Sequence, residues 1–382
     1  IGSGTMGSGI AAQVANAGIS VHLLDISSKI ASNACDRIKE SKPPLLMKED
    51  NSNFIIPGNI EDDIEHINDA DWIVEAVVER IDIKKSIYSI IDKRMKSTAI
   101  VSSNTSSIPL KVLSENMSDN MKKVFCITHF FNPVRYMRLL ELVVTKMNDR
   151  KKIEELKKFC DEQLGKTVVV CNDSPGFLGN RVGVYAMQVA MTEAFNLGLS
   201  VEEADAIFGR PMGIPKTGVF GLYDLIGIDL MSDVLKSFIK ELPVEDPFHQ
   251  VGKEIPLINK LIKDGYTGRK GKGGFFRINK ENNQKILESL DYKELIYRES
   301  KKIDLSLPDL MDINHLLGRN DIYSQYAWNI LKKTILYAAS LVPKVAENFN
   351  DIDDAMRCGF NWQKGPFEIL YDIGISNFLN KL

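Results

Sequence analysis

Along residues 2–172 short apolar runs alternate with longer amphipathic stretches, the pattern of strands laid into a parallel sheet whose two faces are covered by helices. Strands are predicted over 20–25, 99–102, 124–128, 139–144 and 167–170, and helices over 10–17 and 83–95. Pro43-Pro44 cannot continue a helix, so the one after Asp25 should stop near Ser41; Ile55-Ile56-Pro57-Gly58 marks a turn, with a loop or short hairpin between. Beyond Asp173-Ser174-Pro175-Gly176 the strand signal vanishes. A helix is expected over 177–197, with Ser174 as its cap, Pro175 at its start and Gly198 as its stop. A glycine-rich basic loop covers 267–276, the polar stretch 278–319 reads as a linker with little core, and a last helical section begins at Ile322.

Two helical sections resemble each other. Asp205-Ala206-Ile207 with Leu222-Tyr223-Asp224-Leu225-Ile226-Gly227-Ile228 is echoed by Asp354-Ala355-Met356 with Leu370-Tyr371-Asp372-Ile373-Gly374-Ile375, as in a duplicated unit. The expected domains are therefore 1–172, a nucleotide-binding α/β unit; 173–280, a helical unit; 281–320, a linker; and 321–382, a second similar helical unit. Apolar duplicated helices usually pack on one another and are compatible with a homo-oligomer.

Composition narrows the partners. The chain has 382 residues, 44% hydrophobic and 26% charged, enough for two or three domains with proper cores. A net charge of -3 offers no polybasic field for nucleic acid or an anionic membrane, which leaves small molecules. No apolar run approaches the roughly 20 residues that span a bilayer. Five cysteines, Cys35, Cys126, Cys160, Cys171 and Cys358, show no paired short spacing, which argues against a disulfide framework or a metal site and for a reducing, cytoplasmic setting. Ile1-Gly2-Ser3-Gly4 opens where a first strand would just have ended, so an upstream strand or targeting segment is expected to be missing from the chain.

Gly2-Ser3-Gly4-Thr5-Met6-Gly7 spaces three glycines so that one allows a tight turn, one admits a pyrophosphate to the backbone and one lets the helix pack closely. A helix and a strand ending in Asp25 follow, placing a carboxylate where the ribose hydroxyls of NAD would bind and where it would repel the extra phosphate of NADP. The fold class that results is a Rossmann-type doubly wound α/β sheet followed by an all-α domain of two similar helical units. Glu79 and Lys84 read equally well as a surface ion pair one turn apart or as cofactor contacts. The hydroxyl-rich run Ser102 to Ser107 reads equally as a donor loop at the sheet's carboxyl end or as a capped turn before Pro109. His129, emerging after its strand, gains weight as a general base from Glu141 beyond the turn at Pro133, since a carboxylate on one imidazole nitrogen fixes the tautomer and raises basicity at the other. Asn180 could project back toward His129 from the helix start, or serve as a local hydrogen-bonding residue.

Taken in order, these segments resemble the L-3-hydroxyacyl-CoA dehydrogenase family: the glycine turn, Asp25, residues 75–79 with Lys84, SSNTSS at 102–107, HFFNP at 129–133 with Glu141, and SPGFLGNR at 174–181. The resemblance implies NAD-dependent oxidation of (S)-3-hydroxyacyl-CoA to 3-oxoacyl-CoA in fatty acid β-oxidation. It implies His129 as base, Glu141 as its partner, and Ser106 and Asn180 as substrate contacts. NAD would be held by Gly2, Gly4, Thr5, Met6, Gly7, Asp25, Glu79, Lys84, Asn104 and Asn132. The family's simple members carry a longer basic hairpin where this chain has only residues 39–50, so CoA contacts there do not transfer; Arg269, Lys270 and Lys272 are weak candidates for the CoA phosphates. The family signature is altered to Pro211-Met212-Gly213-Ile214-Pro215-Lys216, while Gly365-Pro366-Phe367-Glu368 in the second unit is closer. Two such units resemble the multifunctional β-oxidation proteins, in which a dehydrogenase region is joined to an enoyl-CoA hydratase region.

Overall fold

The computed structural model describes residues 1–281, 284–305 and 313–382. The chain forms two units, one of Ile1–Leu178 with Lys344–Glu347, the other of Gly179–Pro343 with Asn348–Leu382. Among the described residues no helix is long and apolar enough to cross a membrane.

In the first unit, helix Thr5–Asn16 leads to β1 (Val21–Asp25), helix Ser28–Glu40, β2 (Ile55–Asn59), β3 (Trp72–Glu75), helix Ile81–Arg94, β4 (Ile100–Ser103), β5 (Phe125–Phe130), β6 (Leu139–Val143), helix Arg150–Glu162 and β7 (Thr167–Cys171). β1 and β2 pair in parallel, so the expected turn at Pro57-Gly58 is a strand. The other five strands lie in the order β3-β4-β5-β6-β7. The sheet is not wholly parallel as expected: β5 and β6 run antiparallel. Residues 131–138 alone connect them, too few for the crossover of about a dozen residues that a parallel pair needs. The open edges of β1 and β3 border a groove of about 780 Å³. Ile1 and Gly2 bridge them: the Ile1 amino group donates to the Val74 carbonyl at 2.7 Å, and the Gly2 N–H to Leu24 at 2.7 Å.

Every residue of β5 and β6 is buried, as in a sheet covered on both faces. On one face Ile10 and Val14 of the first helix meet Phe130, Leu140 and Leu142, joined by Ile153, Leu156 and Cys160 of helix Arg150–Glu162. On the other, Tyr88 of helix Ile81–Arg94 packs edge-on against Phe125, ring centroids 5.1 Å apart.

The second unit is built on helix Gly179–Leu197 against helix Ile322–Ser340. Tyr185 and Tyr337 stack at 3.9 Å, and the Tyr326 hydroxyl donates to the Ala190 carbonyl at 2.9 Å. Gly183 lies so close to the Phe360 ring that a Cβ there would stand 2.3 Å from it, which explains a glycine in mid-helix. The unit is not all-helical, and the stretch read as a linker carries structure: β8 (Phe276–Glu281), β9 (Gln284–Asp291) and β10 (Ile296–Glu299) form an antiparallel meander. The rest of that expected linker falls partly on residues 306–312, outside the described residues. The two similar sections share a local contact. Asp205 Oδ1 accepts the Phe220 N–H at 2.7 Å, opening helix Gly218–Ile226, and Asp353 Oδ1 accepts the Phe367 N–H at 2.9 Å, opening helix Pro366–Ile373. The pairing therefore matches Asp205 with Asp353, one residue away from the register that the sequence suggests.

Candidate active site

The glycine turn is shaped by close approach. Gly2 has φ +94°, a conformation that L side chains rarely adopt, and a Cβ on Gly7 would stand 1.8 Å from the Gly2 carbonyl oxygen. A Cβ on Gly4 meets nothing within 4 Å, and no side chain caps the helix that Gly4 opens. The turn thus leaves a helix N-terminus open to an anion, the form a dinucleotide pyrophosphate requires. Thr5 and Met6 stand in its first turn. Asp25, the last residue of β1, accepts the Ser3 N–H at 2.6 Å and the Ser3 hydroxyl at 2.7 Å. Burial pushes this carboxyl up, but the donors from Ser3 and Ile26 outweigh it and hold it below the usual carboxylate range. Arg37, which sequence reasoning passed over, braces the same turn by donating to the Ser3 carbonyl at 3.1 Å.

Glu75 and Lys84 form a buried ion pair at 2.8 Å, their side chains 0% and 1% exposed. Lys84 also pairs with Glu79 at 3.2 Å. The ion pair expected from the spacing is thus present with Glu79 exposed, but Lys84 itself is buried and Glu75 is its second acid. Glu75 accepts further hydrogen bonds from the Tyr88 hydroxyl at 2.5 Å and the Ser103 hydroxyl at 2.7 Å. Burial, with the adjacent Glu75 carboxylate, pushes the Tyr88 phenol far up, so it stays protonated and donates. Asn104 is buried at the exit of β4; its Oδ1 accepts the Phe130 N–H at 2.9 Å, tying the ends of β4 and β5 together.

His129 lies inside β5 rather than after it, directly opposite Glu141 in the antiparallel register. Its Nδ1 stands 2.6 Å from Glu141 Oε2, and its Nε2 stands 3.1 Å from the Ser106 Oγ. Glu141 is fully buried, and its other oxygen accepts the Leu178 N–H at 2.9 Å. With Nδ1–H donating to the Glu141 carboxylate, Nε2 presents a lone pair beside the exposed Ser106 hydroxyl, the arrangement that a general base needs. Phe131 and Phe177 flank the imidazole, ring centroids at 4.7 and 5.5 Å. Phe177, with φ 51°, was not singled out by the sequence pattern. Lys166 was also missed; it is buried and donates to the Met137 carbonyl at 2.9 Å and, more closely, to Val134, pinning the turn that follows His129. Asn132 is exposed just past β5, and Asn180 is half-buried in the first turn of helix Gly179–Leu197 of the second unit. Among the described residues no group of three or more His, Cys, Asp or Glu could hold a metal ion.

A glycine turn that leaves a helix N-terminus open to a pyrophosphate agrees with what comparison shows. Residues 1–174 match the NAD binding domain of 3-hydroxyacyl-CoA dehydrogenase, and residues 176–278 match the C-terminal domain of the same family. A Rickettsia felis protein named as a fatty acid oxidation complex trifunctional enzyme is 43% identical over 377 residues, 97% of this chain and 52% of its own length. This chain thus spans about half of that relative. The human mitochondrial hydroxyacyl-coenzyme A dehydrogenase is 31% identical over 288 residues, 72% of this chain and 89% of its own. Among solved structures, 3-hydroxybutyryl-CoA dehydrogenase from Escherichia coli K12 has the same fold, with a TM-score of 0.74 at 23% identity, over 99% of this chain and 92% of that one. The glycine turn, the Asp25 strand end and the His129 strand all fall within the matched NAD-binding domain, and the chain belongs to the 3-hydroxyacyl-CoA dehydrogenase family.

Proposed function

We propose that the chain interconverts (S)-3-hydroxyacyl-CoA and 3-oxoacyl-CoA with NAD in fatty acid β-oxidation, as the dehydrogenase region of a longer protein that also carries an enoyl-CoA hydratase region. The observation that carries this reading is His129, whose Nδ1 is held on the buried Glu141 carboxylate while Nε2 faces the Ser106 hydroxyl. In the oxidative direction His129 Nε2 takes the proton of the substrate hydroxyl, and Glu141 stabilises the imidazolium that results. In the reductive direction His129 returns that proton as the acid. Ser106 hydrogen-bonds the reacting oxygen, which fixes the carbinol against Nε2, and Asn180 is a further substrate contact. When bound, NAD supplies the hydride acceptor; Gly2, Gly4, Thr5, Met6 and Gly7 would hold its pyrophosphate, Asp25 its ribose, and Glu79, Lys84, Asn104 and Asn132 its remaining contacts. Acid–base catalysis of this type is worth about a hundred- to ten-thousandfold.

The test is to follow NADH absorbance with acetoacetyl-CoA, longer 3-oxoacyl-CoA thioesters and free acetoacetate offered separately. Turnover of the thioesters alone is expected. Turnover of the free acid but not of the thioesters would overturn the CoA assignment in favour of a hydroxy acid dehydrogenase.

A further inference from the structure

Phe177 adopts φ 51°, in the left-handed region where a bulky L residue is a genuine outlier. Gly176 before it has φ 73°. Two left-handed residues in succession cannot lie in a right-handed helix, so the helix expected from residue 177 begins instead at Gly179. The Phe177 N–H closes the turn by donating to the Ser174 carbonyl at 2.9 Å. Phe177 and Leu178 are both fully buried. Backbone strain of this kind persists only where the surroundings fix it, and such positions gather at functional sites.

Here the turn delivers two groups to the histidine and its carboxylate. The Phe177 ring stands 5.5 Å from the His129 imidazole, tilted by 55°. The next N–H, that of Leu178, donates to Glu141 Oε1 at 2.9 Å, while Glu141 Oε2 meets His129 Nδ1 at 2.6 Å. The dihedrals of Phe177 set the direction of that N–H, so an extended or right-handed Phe177 would turn the donor away from Oε1. A buried carboxylate oxygen needs such a donor. We propose that Phe177 is a positioning residue: in the left-handed turn it forms with Gly176, its ring holds the plane of the imidazole and the amide after it holds the Glu141 carboxylate, which together keep Nε2 aimed at the Ser106 hydroxyl. This role deepens the reading of His129 as base and rests on it.

The experiment uses the full chain carrying Gly176→Ala, Phe177→Leu or Gly165→Ala. Gly176→Ala strains the turn and leaves both rings in place. Phe177→Leu keeps the backbone demand and an apolar filling but removes the aromatic plane, and it keeps the test if Gly176→Ala does not fold. Gly165 has φ 64° with nothing within 4 Å of an added Cβ, in another turn of the same unit, so Gly165→Ala meets a similar backbone penalty away from His129. With acetoacetyl-CoA, kcat is expected to fall about ten- to a hundredfold in the first two variants, the range for a small misplacement of a reacting group, and to keep its parent value in Gly165→Ala. The downfield proton resonance of the His129 Nδ1–H, recorded without substrate and assigned by its loss in His129→Gln, gives a readout that needs no turnover. It should move or vanish in Gly176→Ala and Phe177→Leu and stay in place in Gly165→Ala. A resonance that stays in place in both turn variants would overturn the proposal whatever their kcat, and so would an equal change in Gly165→Ala. If the resonance moves while His129→Gln keeps full turnover, the base assignment fails and the hold of the turn on the imidazole is supported.

Discussion

His129 and Glu141 occupy directly opposed positions on two antiparallel strands, with Nδ1 and Oε2 2.6 Å apart. Opposed residues on one face of an antiparallel pair bring their Cβ atoms within about 5.5 Å, so the backbone itself brings imidazole and carboxylate together. His129→Gln and Glu141→Ala are each expected to lower kcat about a hundred- to ten-thousandfold while leaving the Kd for NADH unchanged. The double variant should lose little more than the worse single one, because the two act as a unit. Steady-state kinetics beside fluorescence titration of NADH separate the two effects, and full turnover in either single variant would refute the roles.

Asp25 does two things at once: it ends β1 where a ribose would lie, and it holds the glycine turn through both the N–H and the hydroxyl of Ser3. Asp25→Ala should weaken NAD binding about tenfold, the effect of losing roughly 1.4 kcal/mol, and should narrow the discrimination against NADP because the repelling charge is gone. The carboxyl lies below its ordinary range in the folded chain. Its stabilisation is therefore present above the unfolded value near pH 4 and is lost as pH falls through the lower folded value. Acid unfolding of Asp25→Ala should show a shallower slope below about pH 4 than the parent, measured by circular dichroism.

Lys84 neutralises a carboxylate that is 0% exposed. Lys84→Met leaves Glu75 charged and buried, with only the donors from Val77, Tyr88 and Ser103 to hold it. Removing one partner of a buried pair costs about 3–5 kcal/mol, and a matching drop in the urea midpoint is expected. Adding Glu75→Gln should recover part of that loss. A single-variant cost below about 1 kcal/mol, as at an exposed pair, would show that Glu75 is not dependent on its cation.

Much of the fold is legible because apolar runs mark β1, β4, β5, β6 and β7. Elements without such runs were hidden. β2 contains Pro57 and Gly58, the strongest turn formers, yet pairs with β1 at an edge where a missing amide is tolerated. Helix Arg150–Glu162 buries only Ile153, Leu156 and Cys160, a narrow stripe at spacings of three and four in an otherwise charged segment. The meander β8 to β10 keeps little inside, with Ser289 and Leu290 as its buried residues on β9, so its strands look like a solvated connection. At the site, the residue types were readable but their geometry was not. An alternating pattern predicts parallel strands, and only the brevity of residues 131–138 betrays the reversal that sets His129 across from Glu141. Lys84 looked superficial because its second acid, Glu75, lies on a different element.

Asp353 is buried at 5% exposure beneath helix Pro366–Ile373. Burial pushes its carboxyl up to about 6, against the pull of the Phe367 N–H. The unfolded carboxyl releases its proton near pH 4, so between pH 4 and 6 the folded chain holds the extra proton. Stability therefore falls as pH rises across that window, by at most about 3 kcal/mol. Asp353→Asn keeps a side-chain oxygen to accept the Phe367 N–H but has no proton to lose. Its unfolding temperature should vary less between pH 4 and 6 than the parent's, and at pH 7 it should equal or exceed it. Scanning calorimetry at half-unit intervals of pH makes the comparison. Parallel curves for the two proteins would mean that the carboxyl stays ionised when buried, held by the amides of the helix it opens.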